Sequence, residues 1–376
     1  MSITNILTYA RKEFRSFKEL PFNPIDSLIF VQLSYISFDC YLEHLNSKEI
    51  RLKDAYKAEY FEHDMFHTNR PVLDQELLTH LCANPRFRDV KLKYYTNDLN
   101  LEKEQQFSAI TFVLPNYVIY VAYRGTDGNI VGWKEDFNMF FSFPVPSQEE
   151  ARKYLEYVAA KFPTYKLIVG GHSKGANLAV YAVATTGKVI QERVLQVFDH
   201  DGPGFLSENM GKLHIEIIRD KIHKTVPQSS IFGLMMETNE GYRVVKSDGF
   251  FIFQHDPYTW QIERKDFTYL DGVTRSAVHV DETLTHWLKA LSVDERERFV
   301  EEFFSIIEQS GIRTLSDFTD DWMKMIPRIV TVMKNTDPQT RGFIMEIMKN
   351  MNSHFVETLK LPKIPPVPKR LRLNKK

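Results

Sequence analysis

The chain has 376 residues, enough for one large α/β core and an appendage, and its formal net charge of −1 gives no bias towards a nucleic-acid partner. Only two cysteines, Cys40 and Cys82, favour a reducing compartment, and no apolar run reaches transmembrane length. Because the N-terminus has no signal-peptide core, the sequence predicts a cytoplasmic protein.

The first hundred residues have mostly helical character. Apolar residues at helical spacing predict a long helix from Ile25 to Leu45, and the polar stretch 83–106 is predicted to form a loop. Sheet-forming sequence occupies residues 107–280. Its first two strands, Phe107 to Leu114 and Tyr117 to Tyr123, are predicted to form a hairpin that turns at Pro115-Asn116.

The strand ending at Tyr123 is followed by Arg124-Gly125-Thr126-Asp127, and then by Trp133 and Asp136. This stretch resembles the R-G-T…W…D segment of the class 3 lipases, in which the residue after the glycine supplies an oxyanion-hole donor. The resemblance implies that role for Thr126, through its backbone N–H with the hydroxyl as a further candidate. The alternative is an ordinary turn in which Arg124 pairs with Asp127 or Asp136.

The next elements lead into a serine motif. Ser147-Gln148-Glu149-Glu150 is a capping box that opens a helix, and an apolar strand from Lys166 to Gly170 follows it. Gly171-His172-Ser173-Lys174-Gly175 then precedes a helix-like run. This order is typical of a nucleophile elbow, so we predict Ser173 as the nucleophile and the Lys174 N–H as an oxyanion donor. The alternative is a turn in which Ser173 only caps the helix.

Candidate acids follow the next predicted strand, Val189 to Phe198. We favour Asp201, because Gly202-Pro203-Gly204 can turn the chain sharply and aim the carboxylate. Asp199 is the alternative acid. The third interpretation is that both aspartates only initiate turns.

The favoured base is His255, because it directly follows a strongly apolar run, Phe250 to Gln254, predicted as a late strand. His279 and His286, in a later helical stretch, are the next candidates. His172 lies inside the elbow and would point away from the open face of the serine. The order Ser, Asp, His along the chain is that of the α/β-hydrolases.

Three segments in this order, G-H-S-K-G-A-N-L-A from 171, D-G-P-G-F from 201 and Q-H-D-P-Y-T-W from 254, resemble the Mbeg1-like family of bacterial lipase-like α/β-hydrolases. The resemblance covers about residues 15–310. It implies an α/β fold with a central mixed sheet flanked by helices, here over residues 1–280. One departure concerns the acid, which class 3 lipases carry in a D-x-V-P segment. The corresponding stretch, Thr225 to Phe232, contains no carboxylate.

Residues 281–360 are predicted to be a helical appendage with apolar stripes, opening with a capping box at Ser292. The stripes allow packing on the sheet domain, a cap over the site, or a homodimer contact. The tail, 361–376, is rich in proline and then basic. It is predicted either to be solvated or to contact anionic lipid surfaces weakly. No metal-ligand cluster or phosphate-binding loop is evident, so no cofactor or metal is implied.

The sequence therefore predicts a serine hydrolase of the lipase or esterase type, which cleaves a small-molecule or lipid acyl ester through an acyl-enzyme. One alternative is a non-catalytic α/β-hydrolase scaffold that binds or regulates. Another is a membrane-surface protein that uses its helical tail to bind lipid.

Overall fold

A nine-stranded mixed sheet is the centre of the computed structural model, which describes residues 4–41, 45, 50–56, 65–237, 241–314 and 322–358. Its strands are β1 (Ile50–Arg51), β2 (Lys91–Asn100), β3 (Gln105–Leu114), β4 (Val118–Tyr123), β5 (Lys166–His172), β6 (Val194–His200), β7 (Ile222–Pro227), β8 (Tyr242–Val245) and β11 (Tyr269–Leu270). A separate two-stranded sheet pairs β9 (Ile262–Glu263) with β10 (Asp266–Phe267).

The strand directions place several strand ends on one edge of the sheet. Strands β1 to β4 are antiparallel neighbours, β4 to β8 run parallel, and β11 returns antiparallel to β8. Because parallel strands end on the same edge, the loops after β4, β5, β6 and β7 meet there. The predicted α/β fold with a central mixed sheet is confirmed.

Helices cover both faces of the sheet. They are α1 (Ile6–Lys12), α2 (Pro24–Leu33), α3 (Pro71–Ala83), α4 (Ile130–Asn138), α5 (Pro146–Lys161), α6 (Lys174–Thr185), α7 (Lys188–Arg193), α8 (Ser207–Met210), α9 (Ile215–Ile218), α10 (Arg275–Ala290), α11 (Val293–Gln309), α12 (Trp322–Asn335) and α13 (Pro338–Thr358). Successive side chains of β4 point to opposite faces of the sheet and so belong to two apolar cores. Tyr120 and Ala122 pack in the core with α1, α2 and α3. Ile119, Val121 and Tyr123 pack in the core with α5 and α6.

The C-terminal helices form a third apolar cluster with α4. The rings of Phe137 in α4 and Phe304 in α11 lie 5.4 Å apart, and Trp287 and Ile344 are buried in the same cluster. The Ile130 N–H donates to the Arg313 carbonyl over 3.0 Å, which ties the start of α4 to the chain after α11. These helices therefore pack on α4, the helix that follows the Arg-Gly-Thr turn.

Two predicted boundaries in the N-terminal part are wrong. The helix beginning near Ile25 ends at Leu33, where the Ser34 hydroxyl bonds back to the Val31 carbonyl and competes with the helical pattern. The predicted loop 83–106 contains β2, ten residues long. The strand needs few apolar residues, because only Leu92 and Tyr95 are buried and its other side chains are half-buried or exposed.

Two predicted strands are also different. Residues 188–193 form α7, and β6 begins only at Val194. The apolar run before His255 is a 3-10 helix, Phe251–His255, rather than a strand. Its neighbour Phe250 is 83% exposed, so apolar composition does not indicate a core strand at this position. The basic tail, 361–376, lies outside the described residues. None of the helices in the described part is both long and apolar enough to cross a bilayer.

Candidate active site

The loop between β5 and α6 forms a sharp turn centred on Ser173. Its φ of 58° and ψ of −134° belong to a region that residues other than glycine rarely adopt. A Cβ atom on Gly171 would lie 2.0 Å from the Gly175 carbonyl carbon, and one on Gly175 would lie 2.2 Å from the Tyr123 carbonyl oxygen. The two glycines of the motif are therefore required by close backbone approach on both sides of the serine.

Asp201 and His255 are brought together beside this turn. Asp201 Oδ2 lies 2.6 Å from His255 Nδ1, with the aspartate side chain fully buried and the histidine side chain 21% exposed. A carboxylate accepts, so Nδ1 carries the proton, and Nε2 of the neutral ring is then free to accept one. No hydrogen bond joins His255 to the Ser173 hydroxyl in the part of the chain that is described.

The loop after β7 holds the acid from the other side. The Ser230 hydroxyl donates to Asp201 Oδ1, and the Asp201 N–H donates to the Thr225 carbonyl over 2.8 Å. Ser230 belongs to the stretch that, by the sequence resemblance, corresponds to the D-x-V-P segment of the class 3 lipases. In this chain the carboxylate thus comes from the end of β6, and a serine from the loop after β7 binds it.

Asp199, the alternative acid, is occupied elsewhere. Its Oδ2 accepts from the Lys224 ammonium over 2.6 Å, and its Oδ1 accepts from the Gly202 N–H over 2.9 Å. The Lys224 ammonium also donates to the Gly202 carbonyl over 2.6 Å. This buried pair therefore fixes the turn that follows Asp201, a role that the spacing of the sequence did not indicate.

His172 supports the loop that carries His255. The two imidazole rings lie 4.3 Å apart, and His172 Nε2 lies 2.8 Å from the His255 carbonyl oxygen, which can only accept. Nε2 is therefore protonated, and Nδ1 accepts from the Tyr35 hydroxyl at 3.2 Å. Burial, with a smaller contribution from His255, holds the pKa of His172 well below its usual value. A neutral, doubly bonded imidazole positions its neighbour and does not act as a base.

His200 and the two remaining candidates, His279 and His286, lie in different surroundings. His200 is fully buried, its Nε2 is 2.9 Å from the Ser27 hydroxyl, and burial lowers its pKa to about 3. His279 and His286 both lie on α10, and His286 Nδ1 donates to the carbonyl of Glu282 over 2.7 Å. The Asp201 oxygens are bonded to His255 and Ser230.

The Arg-Gly-Thr turn lies close to the serine turn. Strand β4 pairs in parallel with β5, with Tyr123 opposite Gly171, and a Cβ atom on Gly125 would lie 3.1 Å from that of Ser173. The Thr126 hydroxyl donates to Asp136 Oδ2 over 2.6 Å. Within the described residues, the Thr126 N–H has no hydrogen-bond acceptor, so the backbone N–H is the donor left available.

The second oxyanion candidate is the N–H of Lys174. It belongs to the first residue of α6, where backbone N–H groups have no partner inside the helix. Arg124 forms an ion pair with Asp127 at 3.7 Å, one of the two partners that the alternative interpretation predicted, and its guanidinium also bonds the Asn97 side chain at 2.8 Å. The helix dipole of α6 adds a positive potential at the same position.

Asp136 is a carboxyl group beside this turn, and the sequence indicated it as the last residue of the R-G-T…W…D segment and as an alternative partner for Arg124. Its side chain is 29% exposed, but its Oδ1 atom is buried and, within the described residues, has no hydrogen-bond partner. Burial raises the pKa of this carboxyl to about 6, an increase that Lys174 partly opposes.

An apolar patch precedes the candidate base. It consists of Phe250, Ile252 and Phe253, whose side chains are 83%, 48% and 58% exposed. Behind the base, the Phe232 ring lies 4.5 Å from the His255 imidazole. Large exposed apolar side chains grouped in one short segment are a candidate surface for an apolar ligand. Among the described residues, no group of histidine, cysteine and carboxylate side chains is arranged to bind a metal ion.

A family model describes more than half of this chain. The Mbeg1-like model matches residues 81–305, so the chain belongs to the Mbeg1-like family. This match includes the serine turn, Asp201 and His255. No curated protein sequence is significantly similar to the chain.

Several solved lipase structures are similar to part of this chain at low sequence identity. M37 lipase is 13% identical with a TM-score of 0.35, over 57% of this chain and 70% of its own. A mutant form of MDLA from Penicillium cyclopium is 12% identical with a TM-score of 0.37, over 66% and 84%. A Rhizomucor miehei lipase in complex with its propeptide is 14% identical with a TM-score of 0.33, over 59% and 76%.

Proposed function

We propose that the protein is a serine esterase that cleaves acyl esters through an acyl-enzyme. The observation that carries the proposal is the buried Asp201 carboxylate bonded at 2.6 Å to His255 beside a strained serine turn. A triad needs this pair because the carboxylate fixes the imidazole tautomer and stabilises the imidazolium formed during attack.

The proposed chemistry has two steps. Ser173 Oγ attacks the ester carbonyl carbon while His255 Nε2 takes the hydroxyl proton, and the N–H groups of Lys174 and Thr126 stabilise the oxyanion. Collapse of the tetrahedral intermediate expels the alcohol, which leaves with the proton from His255. Water then attacks the acyl-enzyme, with His255 as base again, and releases the carboxylic acid.

The apolar patch supports an acyl chain as the part of the substrate that is recognised. A short polar ester would gain nothing from three exposed apolar side chains directly before the base. An acyl chain of several carbons, or a lipid that contains one, would cover this surface.

The proposal is tested by a fluorophosphonate probe, which reacts only with an activated serine. We expect labelling of the wild type at Ser173 and loss of labelling in Ser173→Ala, with unchanged far-UV circular dichroism. Hydrolysis of p-nitrophenyl esters should disappear in the same variant.

The competing function is a non-catalytic scaffold that binds or regulates. Such a scaffold would bind an ester or a partner protein without turnover. The folded wild type would then neither react with the fluorophosphonate probe nor hydrolyse any p-nitrophenyl ester. Labelling of Ser173→Ala at the wild-type level would instead place the reactive serine elsewhere.

A further inference from the structure

The residue after the nucleophile carries a buried charge that the proposed chemistry does not use. The Lys174 side chain is 1% exposed, and its ammonium donates to Glu135 Oε2 over 2.8 Å and to the Gln106 carbonyl over 3.0 Å. An ammonium at this depth is costly, since its desolvation is only offset by good geometry and further hydrogen bonds. An apolar residue at this position would fill the same space without a desolvation cost.

The carboxylate that receives this charge is fully bonded. Glu135 Oε2 also accepts from the Gln106 N–H at 3.0 Å and from the Ser147 hydroxyl at 2.8 Å, and its Oε1 accepts from the Ser147 N–H at 2.9 Å. Glu135 lies on α4, Gln106 on β3 and Ser147 at the start of α5. The ion pair thus joins the nucleophile helix to three other elements at one buried point.

The neighbour of Glu135 on α4 leads back to the oxyanion turn. Asp136 accepts the Thr126 hydroxyl at 2.6 Å, and its Oδ1 lies 3.9 Å from the Lys174 ammonium. A Cβ atom on Gly132, also on α4, would lie 2.9 Å from Thr126 Cγ2, so the helix packs closely against that side chain. The position of Thr126 therefore depends on where α4 lies relative to the start of α6.

We infer that the side chain of Lys174 is a positioning residue for the oxyanion hole. Its backbone N–H is one proposed donor, and its ammonium, through Glu135 and α4, fixes the other donor residue, Thr126. This inference rests on the proposed function. Because Lys174 acts through its neighbours, its loss should weaken transition-state stabilisation and leave ester binding nearly unchanged.

The test replaces the charged pair by a neutral pair, Lys174→Met with Glu135→Gln. The glutamine oxygen can accept from the Ser147 N–H and its amide can donate to the Ser147 hydroxyl, whereas the Gln106 N–H loses its acceptor. The control breaks a second buried pair, Arg86 and Asp26, whose side chains are both fully buried and bonded at 2.5 Å. The control variant is Arg86→Met with Asp26→Asn.

We expect kcat of the Lys174/Glu135 variant to fall about 10-fold to 100-fold while KM stays within about threefold, because small misplacement of a catalytic group has effects of this size. Folded control protein should retain the wild-type kcat. Hydrogen exchange of peptides spanning 125–138 should be faster in the first variant and unchanged in the control.

A wild-type kcat in the Lys174/Glu135 variant, or unchanged exchange over 125–138, would overturn the inference. If that variant does not fold, Ser147→Ala is the substitute, because it removes one hydrogen-bond donor to Glu135 and keeps both charges. Ser147→Ala should lower kcat by about 3-fold to 10-fold, since the loss of one such hydrogen bond has effects of this order. An unaffected kcat in that variant would equally contradict it. An inactive wild type would defeat the proposed function instead, and the exchange measurement would then test only whether Lys174 holds α4 and the Thr126 turn in place.

Discussion

At the residue scale, the acid of the candidate triad shows how a catalytic group can come from a different strand. The imidazole needs only a carboxylate oxygen at Nδ1, and the ends of β6 and β7 are adjacent in the sheet. Asp201 has a positive φ of 56°, which aspartate tolerates better than most residues, and this turns its side chain towards His255. Ser230, from the loop after β7, binds the other oxygen of the same carboxylate.

Ser230→Ala tests whether this serine supports the acid. The substitution leaves Asp201 Oδ1 buried without its hydroxyl partner, and an unsatisfied buried charged group costs enough to lower kcat/KM by about 10-fold to 100-fold. The measurement is steady-state hydrolysis of a p-nitrophenyl ester. Ser229→Ala is the matched control, because the Ser229 hydroxyl bonds Thr274 at 3.0 Å and not Asp201. Equal rates for the two variants would show that Ser230 is dispensable.

The sequence predicted the residues whose role is local better than those whose role depends on packing. The turn at Ser173 was predictable because its glycines are adjacent in the chain and are required by backbone contact. The role of Thr126 rested on a resemblance, and its N–H remains unpaired in the described structure. The bond of Lys174 to Glu135 and the bond of Ser230 to Asp201 were not predictable, because the partners are 39 and 29 residues apart in the chain, respectively.

At the scale of elements, the segment before His255 shows why an apolar run was misinterpreted. Phe250 to Phe253 has the composition of a core strand, yet the run from Phe251 forms a 3-10 helix with large side chains in solvent. Composition alone cannot distinguish an apolar segment that packs in the core from one that faces a ligand. Here His255 directly follows the apolar patch in the chain, which favours a segment that faces a ligand.

Phe250→Ser with Phe253→Ser tests the contribution of this patch to the substrate. Burying an aromatic side chain against an acyl chain is worth about 1.5–3 kcal/mol, so kcat/KM for a dodecanoyl ester should fall at least about 10-fold. Hydrolysis of an acetyl ester should change less than about twofold, because its chain is too short to reach the patch. Rates are compared across p-nitrophenyl esters of rising chain length.

The control for this measurement is Phe14→Ser, since Phe14 is 59% exposed near the end of α1 and is not next to a site residue in the chain. It should leave the chain-length profile unchanged. A uniform loss for all esters in the patch variant would indicate damage to the His255 loop rather than loss of acyl contacts.

At the scale of the whole molecule, the charged groups buried at this sheet edge contribute more to the geometry of the candidate site than to the stability of the fold. Lys174 and Lys224 are buried with carboxylates, and Asp136 has a buried oxygen without a partner in the described residues. Proteins accept such groups where activity requires them, at a cost in stability. The pH dependence of unfolding measures that cost for Asp136.

Asp136→Asn should stabilise the protein at neutral pH. Burial raises the pKa of this carboxyl from 3.8 to about 6, so the unfolded chain releases the proton more readily than the folded one. Its favourable contribution is therefore fully present below about pH 4 and is lost as the pH rises through about 6. Asparagine cannot ionise and still accepts from the Thr126 hydroxyl, so the variant should match the wild type at pH 4 and exceed it at pH 8 by up to about 3 kcal/mol.

Urea unfolding at pH 4, 6 and 8 measures this difference, and Asp89→Asn provides a control of opposite sign. The hydrogen bond from Lys53 lowers the pKa of Asp89, so the carboxylate contributes stability that is present at neutral pH and lost as the pH falls. Removing that charge should cost a little stability at pH 8 and nothing at low pH, since the pair is exposed and screened. Equal unfolding free energies of Asp136→Asn and the wild type at pH 8 would mean that the ionised carboxylate is well solvated in the folded protein. Asp136 would then hold the Thr126 turn without lowering the free energy of unfolding.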